Sequence, residues 1–127
     1  MNHHQKNLKK TILCLTALLA LGLATPASAQ VSSGSVAGTI SDAQGSVIPG
    51  AKVTLTDTDQ NTSRSVNASS QGTFTFTPVV AAAYTITVEA QGFKKYEKRD
   101  LIVHPNDHVG IDDIQLQVGA ISEVISD

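Results

Sequence analysis

The sequence has little cysteine, few aromatic residues and no excess of positive charge. Its 127 residues include one cysteine, two tyrosines, three phenylalanines and no tryptophan. The cysteine, Cys14, lies in the apolar N-terminal stretch, so a fold held together by disulfides is excluded. Sugar sites favour exposed aromatic platforms, and Tyr96 is the one aromatic residue that we expect to be exposed.

No apolar run is long enough to cross a bilayer, which takes about 20 residues. A basic segment, residues 1–10, precedes an apolar segment, residues 11–23, and the small-residue triplet A-S-A ends at Ala29. This order is typical of a cleavable signal peptide over residues 1–29. We therefore predict cleavage between Ala29 and Gln30, a periplasmic, outer-membrane-associated or extracellular location, and no transmembrane segment in the mature chain.

The mature chain is predicted to be acidic. Three of the nine basic residues and none of the 11 acidic residues lie in the predicted signal peptide, which leaves six basic against 11 acidic residues and a net charge of −5. This charge argues against a nucleic-acid partner, which requires a basic surface. One basic cluster alternates with acids, and we interpret it as a solvated strand edge or loop: Lys94, Lys95, Lys98 and Arg99.

No stretch of the mature chain repeats its apolar residues at helical spacing. Instead, short runs rich in Val, Ile, Thr and aromatics are separated by Gly, Pro, Asn and Ser, which is typical of β-strands and turns. The runs cover residues 36–42, 51–57, 63–67, 73–77, 84–89, 109–118 and a sixth run that contains Tyr96, Leu101 and Val103. We predict an all-β, about seven-stranded Greek-key β-sandwich, prealbumin-like or Ig-like, over residues 35–119. A flexible leader, residues 30–34, precedes it and a C-terminal tail, residues 120–127, follows.

Strict alternation within the runs predicts which side chains are buried. The residues expected to face the core are Val36, Gly38, Ile40, Val53, Leu55, Phe74, Phe76, Tyr84, Ile86, Val88, Phe93 and Leu116. In the last run the apolar residues change parity at Asp112-Asp113, and a β-bulge there would return both halves to one face. The expected turn residues are Asp42, Gly45, Pro49, Gly50, Gly72 and Gly92, with glycine where a positive φ is needed.

The run G-T-I-S-D-A-Q-G-S-V-I-P-G-A-K-V-T-L, residues 38–55, resembles the opening of carboxypeptidase regulatory-like domains. The later motifs stand in the order of that family: Gly72-x-Phe74-x-Phe76, Tyr84-x-Ile86-x-Val88, Gly92-Phe93 and Leu116-x-Val118-Gly119. The resemblance implies a prealbumin-like, carbohydrate-binding-like sandwich that is a structural or interaction module without chemistry of its own. The family usually has glycine where Ala83 stands, so we expect that loop to differ.

Signal peptide, domain and the tail V-G-A-I-S-E-V-I-S-D together are similar to the start of TonB-dependent outer-membrane receptors. In those receptors a plug domain and a barrel follow, whereas this sequence ends at Asp127. Three interpretations stay open: a free-standing module, a truncated reading frame, or a component that acts beside a receptor.

Two polar turns could in principle bind a metal. The run H-P-N-D-H from His104 to His108 offers two imidazoles and a carboxylate, but zinc usually takes three or four ligands from a fixed frame. The run Asp57-x-Asp59-x-Asn61 begins like a calcium loop but lacks the later glycine and the bidentate glutamate. We interpret both as solvated turns and predict no metal site, no cofactor and no catalytic residue.

Three functions are weighed on this basis. The first is an exported non-catalytic interaction or structural module of the receptor-associated type, with a protein partner and an exposed sheet edge that could add a partner strand. The alternative is a free-standing secreted domain that binds a carbohydrate or a peptide. An enzyme is the least favoured of the three, because no nucleophile, base and orienting group stand in a recognisable pattern.

Overall fold

The computed structural model describes residues 33–127, and every regular element in this part of the chain is a β-strand. The strands are β1 (Ser33–Ser41), β2 (Lys52–Asp57), β3 (Thr62–Asn67), β4 (Thr73–Val80), β5 (Ala82–Glu89), β6 (Lys95–Val103), β7 (His108–Gln115) and β8 (Val124–Ser126). No helix in these residues could cross a membrane. The predicted signal peptide and its cleavage point, Ala29–Gln30, lie outside the described residues.

The strands form two sheets. One has three strands in the order β4-β1-β7, and the other has five in the order β3-β2-β5-β6-β8. Pairing is antiparallel except between β1 and β7 and between β6 and β8. The predicted all-β sandwich is therefore confirmed, with one strand more than the predicted seven.

The core lies between the sheets and consists of the alternate, inward side chains of both. The most deeply buried include Val36, Ile40, Val53, Leu55, Phe74, Phe76, Val79, Ile86, Val88, Ile114 and Leu116. The rings of Phe74 and Phe76 meet edge to face with their centroids 6.0 Å apart, a favourable aromatic arrangement. Phe93 is partly buried and packs against this core.

Gly38 lies on β1 under the ring of Phe74. A Cβ atom at this position would lie 2.8 Å from Cε1 of Phe74 and 2.9 Å from the carbonyl oxygen of Ile111 on β7. The absence of a side chain therefore allows Phe74 to cover the strand. Gly38 is thus a packing residue, although its own surface is only partly buried.

The turn residues fix the strand ends. Oδ1 of Asp42 accepts hydrogen bonds from the backbone N–H groups of Gln44 and Ser46, at 2.9 and 3.0 Å. At Gly72 the φ is 74°, and a Cβ would lie 2.8 Å from the carbonyl oxygen of Ile40, so both the backbone angle and the space require glycine. Positive φ angles also occur at Gly45, at Gly50 after Pro49, and at Gly92.

The bulge predicted from the change of parity is present on β7. Gly38 pairs with Ile111 and Ile40 pairs with Ile114, so three steps on β7 match two on β1. The extra residue falls at Asp112-Asp113, where Asp113 has a φ of 42°. The bulge returns Ile114 to the core, where it is fully buried.

Both ends of the domain contain more strand than the sequence predicts. Ser33 and Gly34, which we assigned to the flexible leader, pair with Val80 and Val79. In the tail, Val124–Ser126 forms β8 and pairs in parallel with β6. The last predicted run is shorter, since β7 ends at Gln115 and Val118 only forms an isolated bridge with Phe93.

Candidate functional site

In each of the two polar turns that could have bound a metal, one of the proposed ligands makes hydrogen bonds within the protein. Oδ1 of Asp57 accepts the N–H groups of Asp59 and Gln60 at 3.0 and 3.1 Å. In the second turn, Nδ1 of His108 lies 2.8 Å from the hydroxyl of Ser35. Among residues 33–127 no group of three His, Cys, Asp or Glu side chains is placed to hold a metal ion.

The expectation that Tyr96 is exposed is wrong. Its side chain is buried on β6, where it donates a hydrogen bond from its hydroxyl to Oδ2 of Asp127 at 2.9 Å. Burial and this hydrogen bond raise the pKa of Tyr96 above its usual value. Tyr84 is also buried and donates to the carbonyl of Val80 at 2.6 Å. None of the five aromatic residues in the described chain is exposed, so none of them offers a platform for a sugar ring.

The basic cluster lies on and just before β6, which is an inner strand over part of its length. Lys94 forms an ion pair with Glu123 at 3.2 Å, and Lys95 pairs with Glu89 at 3.5 Å. Arg99 pairs with Glu97 on its own strand. Because β8 covers β6 at residues 95–97, only residues 98–103 remain as the strand edge that the sequence predicted.

The sheet edges are the remaining places where a partner could bind through the backbone. The edge strands of the three-stranded sheet are β4 and β7, and those of the five-stranded sheet are β3 and β8. An edge strand carries backbone N–H and C=O groups without a neighbour, and natural proteins usually interrupt such a row with bulges, proline or covering side chains. The edges differ in how far they are interrupted.

The β4 edge is interrupted at Thr73 and again at Thr77-Pro78. The N–H of Ser69 donates to the carbonyl of Thr73 at 2.8 Å, and the hydroxyl of Ser69 accepts the N–H of Thr73. A bulge follows at Thr77-Pro78, and proline has no N–H to offer. The guanidinium of Arg64 donates to the carbonyls of Thr77 and Pro78.

Two further edges are interrupted by bulges. On β7 the bulge falls at Asp112-Asp113, and both residues are exposed. On the uncovered half of β6 the register shifts between Lys98 and Leu101, and Asp100 has a φ of 56°. The β8 edge is only three residues long. None of these edges presents a long, regular row of backbone N–H and C=O groups to which a partner strand could bind.

The β3 edge, by which we mean the backbone groups of residues 62–67 that face away from β2, is uninterrupted. Six consecutive residues of β3 pair with β2 without a register shift, from Thr62 with Asp57 to Asn67 with Lys52. Five of the six are exposed, and Val66 is partly buried. The strand contains no proline, glycine or lysine.

The hydrogen bonds of Ala68, the residue that follows β3, show in which direction the backbone groups of β3 point. Ala68 directs its N–H and C=O toward the β2 side, where they bond to Ala51 and Gly50 at 2.8 and 3.0 Å. Because successive residues of a strand direct their backbone groups to opposite sides, Ser63, Ser65 and Asn67 direct theirs outward. No strand pairs with that side among the described residues.

Arg64 ties β3 to the facing sheet. Its guanidinium donates to the β4 carbonyls and lies over the ring of Phe76, 5.8 Å from the ring centroid. The one charged side chain of β3 is therefore turned toward β4. This leaves the outer face of the strand with small polar groups, and the hydroxyl of Ser65 lies 3.0 Å from that of Thr54.

A cavity of about 440 Å³ lies at the N-terminal end of β3. Its lining combines two acidic side chains, one basic side chain and apolar groups, and includes Asp57, Asp59, Arg64, Pro78, Val80 and Tyr84. Burial raises the pKa of Tyr84, and the nearby carboxylate of Asp57 adds to this effect. We call this cavity the β3-end pocket.

The sequence predicted a strand over residues 63–67 and gave no reason to prefer its edge. Which strands become edges depends on the order of strands in the sheets, and that order is not encoded in the alternation of a single strand. The absence of lysine, proline and glycine from residues 62–67 was the local feature that could have marked it.

Comparison with solved structures shows the fold. A catechol 1,2-dioxygenase from Acinetobacter radioresistens matches with a TM-score of 0.55 and 14% identity over 73% of this chain and 54% of that chain. A putative carbohydrate binding protein from Bacteroides uniformis matches with a TM-score of 0.55 and 20% identity over 66% of this chain and 41% of that chain. A type II cohesin–X-dockerin complex from Acetivibrio cellulolyticus matches with a TM-score of 0.51 and 20% identity, covering 68% and 58%.

The chain spans about half the length of these solved structures. At such low identities the likeness establishes a common sandwich fold and nothing about activity. No curated protein matches the chain.

The family is established by a different comparison. The family model for the carboxypeptidase regulatory-like domain matches residues 35–117, which span all of the strands from β1 to β7 except the first two residues of β1. The chain therefore belongs to the carboxypeptidase regulatory-like domain family.

Proposed function

We propose that this chain is an exported, non-catalytic interaction module similar to the N-terminal extension of TonB-dependent outer-membrane receptors. The observation that carries the proposal is the uninterrupted β3 edge on a sandwich of the carboxypeptidase regulatory-like family. An open, regular edge allows a protein partner to bind by backbone hydrogen bonds without a deep pocket.

The likeness to the cohesin–X-dockerin and carbohydrate-binding structures supports a binding role at the level of the fold. A sugar ligand is disfavoured because the aromatic side chains of the described residues are buried or partly buried. We therefore expect no signal above background on a glycan array, whereas the same preparation binds a protein or peptide.

Export and partnership are tested together in the native host. A photo-reactive amino acid is placed at Ser63 on the β3 edge and, as a matched control, at Thr39, a residue of β1 in the other sheet. We expect N-terminal sequencing to give a chain that starts at Gln30, and irradiation to link Ser63 to an outer-membrane or periplasmic protein. An unprocessed cytoplasmic chain, or no product from either site, would overturn the proposal.

A further inference from the structure

The β3 edge and the β3-end pocket together define the kind of partner that fits. We propose that residues 62–67 bind an extended segment of a partner protein as an added antiparallel strand, with a basic residue of that segment at the β3-end pocket. This inference rests on the proposed function as an interaction module, and it names the surface and the chemistry of the partner.

The backbone supplies the first part of the site. Ser63, Ser65 and Asn67 each direct an N–H and a C=O outward, and these groups repeat at every second residue, as an added strand requires. Antiparallel pairing is the rule for β2, β3, β5 and β6 in this sheet. An antiparallel addition would continue the sheet with the geometry that it already has.

The side chains around the edge supply the second part. Pro78 is exposed and Val80 is 56% exposed, and both line the pocket on the inner side of the β3 edge. An added strand places alternate side chains on that inner side. Apolar residues at these alternate positions would cover Pro78 and Val80 and extend the core outward.

The charge of the β3-end pocket favours a basic residue at one end of the bound segment. Asp57 and Asp59 both line the pocket, and neither forms an ion pair within residues 33–127. Oδ1 of Asp57 is occupied by backbone N–H groups of the turn, which leaves its second oxygen for a ligand. Arg64 also lines the pocket, but its guanidinium donates to neutral β4 carbonyls and forms no ion pair with Asp57 or Asp59 among the described residues. Two carboxylates therefore face one guanidinium, and a cation from outside complements the remaining negative charge. In an antiparallel addition this cation lies toward the C-terminal end of the bound segment.

A second copy of the chain fits the same edge less well. Antiparallel pairing of two β3 strands about Ser65 would place Asn67 and Ser69 of one copy near the pocket of the other, and neither residue is basic. The negative charge that Arg64 leaves unbalanced in the pocket would then remain without a partner. Two mature chains of net charge −5 would also repel each other. The observations therefore favour a peptide segment of a different protein.

Two synthetic peptides test the proposal, acetyl-TVTVTVTK-amide and acetyl-TVTVTVTE-amide, which differ only in the charge near the C-terminus. Each is titrated into the purified, isotope-labelled chain at low salt and followed by amide chemical shifts. We expect shifts at Ser63, Ser65 and Asn67 and not at Gly110 on the other sheet. The lysine peptide should bind about two- to fivefold more tightly than the glutamate peptide, the size of an exposed charge interaction.

Proline substitution separates edge binding from other modes. Ser65→Pro removes an outward N–H and leaves the ladder to β2 intact, because proline is tolerated at such edge positions. Thr75→Pro is the matched control, since Thr75 has the parity of Thr73, whose backbone groups face away from β1 on the β4 edge. We expect Ser65→Pro to weaken binding about tenfold or more, which corresponds to about 1.4 kcal/mol, and Thr75→Pro to leave it unchanged. Circular dichroism verifies that both variants fold. If Ser65→Pro does not fold, the amide shifts of the wild-type chain alone decide whether the peptide binds at the β3 edge.

Several outcomes would overturn the inference: no binding of either peptide, equal binding of both, shifts that cluster away from β3, or equal loss in both proline variants. A wild-type dimer that Ser65→Pro dissociates, without peptide binding, would assign the edge to a second copy. If irradiation in cells links the chain to an exported protein through Thr39 but not through Ser63, and neither peptide binds, the chain remains an interaction module and the β3 assignment fails. If the peptides bind at β3 but the chain is not exported, the proposed function fails instead.

Discussion

The hydroxyl of Tyr96 donates a hydrogen bond to Oδ2 of Asp127 at 2.9 Å, across 31 positions of the sequence. This bond joins β6 to the residue that follows β8. The same segment places Ile125, which packs against the core, beside Tyr96 in a parallel pair. The C-terminal tail is therefore a structural part of the five-stranded sheet.

The raised pKa of Tyr96 predicts a loss of stability at high pH. Its usual value is 10.0, and burial and Asp127 favour the neutral phenol in the folded state. A group whose pKa is raised on folding stabilises the folded state, and this contribution is complete at any pH below the pKa of the group in the unfolded chain. For Tyr96 the contribution is lost as the pH rises above about 10. The melting temperature should fall more steeply between pH 9 and pH 11 in the wild type than in Tyr96→Phe, because only the wild type has the phenol of Tyr96. The titration of lysines affects both proteins equally and cancels in the comparison. Parallel curves would contradict the assignment.

Removal of residues 124–127 should destabilise the domain by about 2–3 kcal/mol, since it deletes the pairing of β8, the bond to Tyr96 and the contact of Ile125 with the core. Urea denaturation measures the change. Val118→Ala is the control, because Val118 is 79% exposed and its substitution should cost less than about 0.5 kcal/mol. A truncated chain as stable as the full one would show that β8 is not docked in solution.

Gly38→Ala should cost about 1–3 kcal/mol, because the new methyl group overlaps the ring of Phe74 and the strand beside it. Gly110→Ala is the matched control on the neighbouring strand, where a Cβ meets nothing within 4 Å. It should be neutral or stabilising by up to about 1 kcal/mol, since alanine reduces the freedom of the unfolded chain. Equal effects of the two substitutions in denaturant unfolding would contradict the packing described for Phe74.

The alternation of side chains was sufficient to predict seven strands, because residues such as Phe74, Phe76, Ile86 and Val88 reflect the local two-residue period of a half-buried strand. The bulge on β7 was also predictable, since one extra residue in a strand returns side chains of changed parity to the same face of the sheet. Both features depend only on neighbouring residues.

The features that sequence reasoning missed depend on distant residues. Val124–Ser126 is too short to show a period, and its partner Tyr96 is far away in the sequence. The burial of Tyr96 follows from that pairing, so it was missed for the same reason. The sequence predicted that the sheet has an exposed edge but not that β3 forms it. The position of the edge depends on the order of all eight strands and on the hydrogen bonds of Arg64 to the β4 carbonyls.

Hydrogen exchange of the six β3 amides, measured by NMR on the free chain, tests the two-sheet account with its open edge most directly. Thr62, Arg64 and Val66 direct their N–H groups to β2, whereas Ser63, Ser65 and Asn67 direct theirs to solvent. We predict alternating protection along the strand, with the first three amides at least about tenfold slower than the other three. Uniform protection of all six would mean that another segment already covers the edge, and uniform fast exchange would mean that β3 is not part of the sheet.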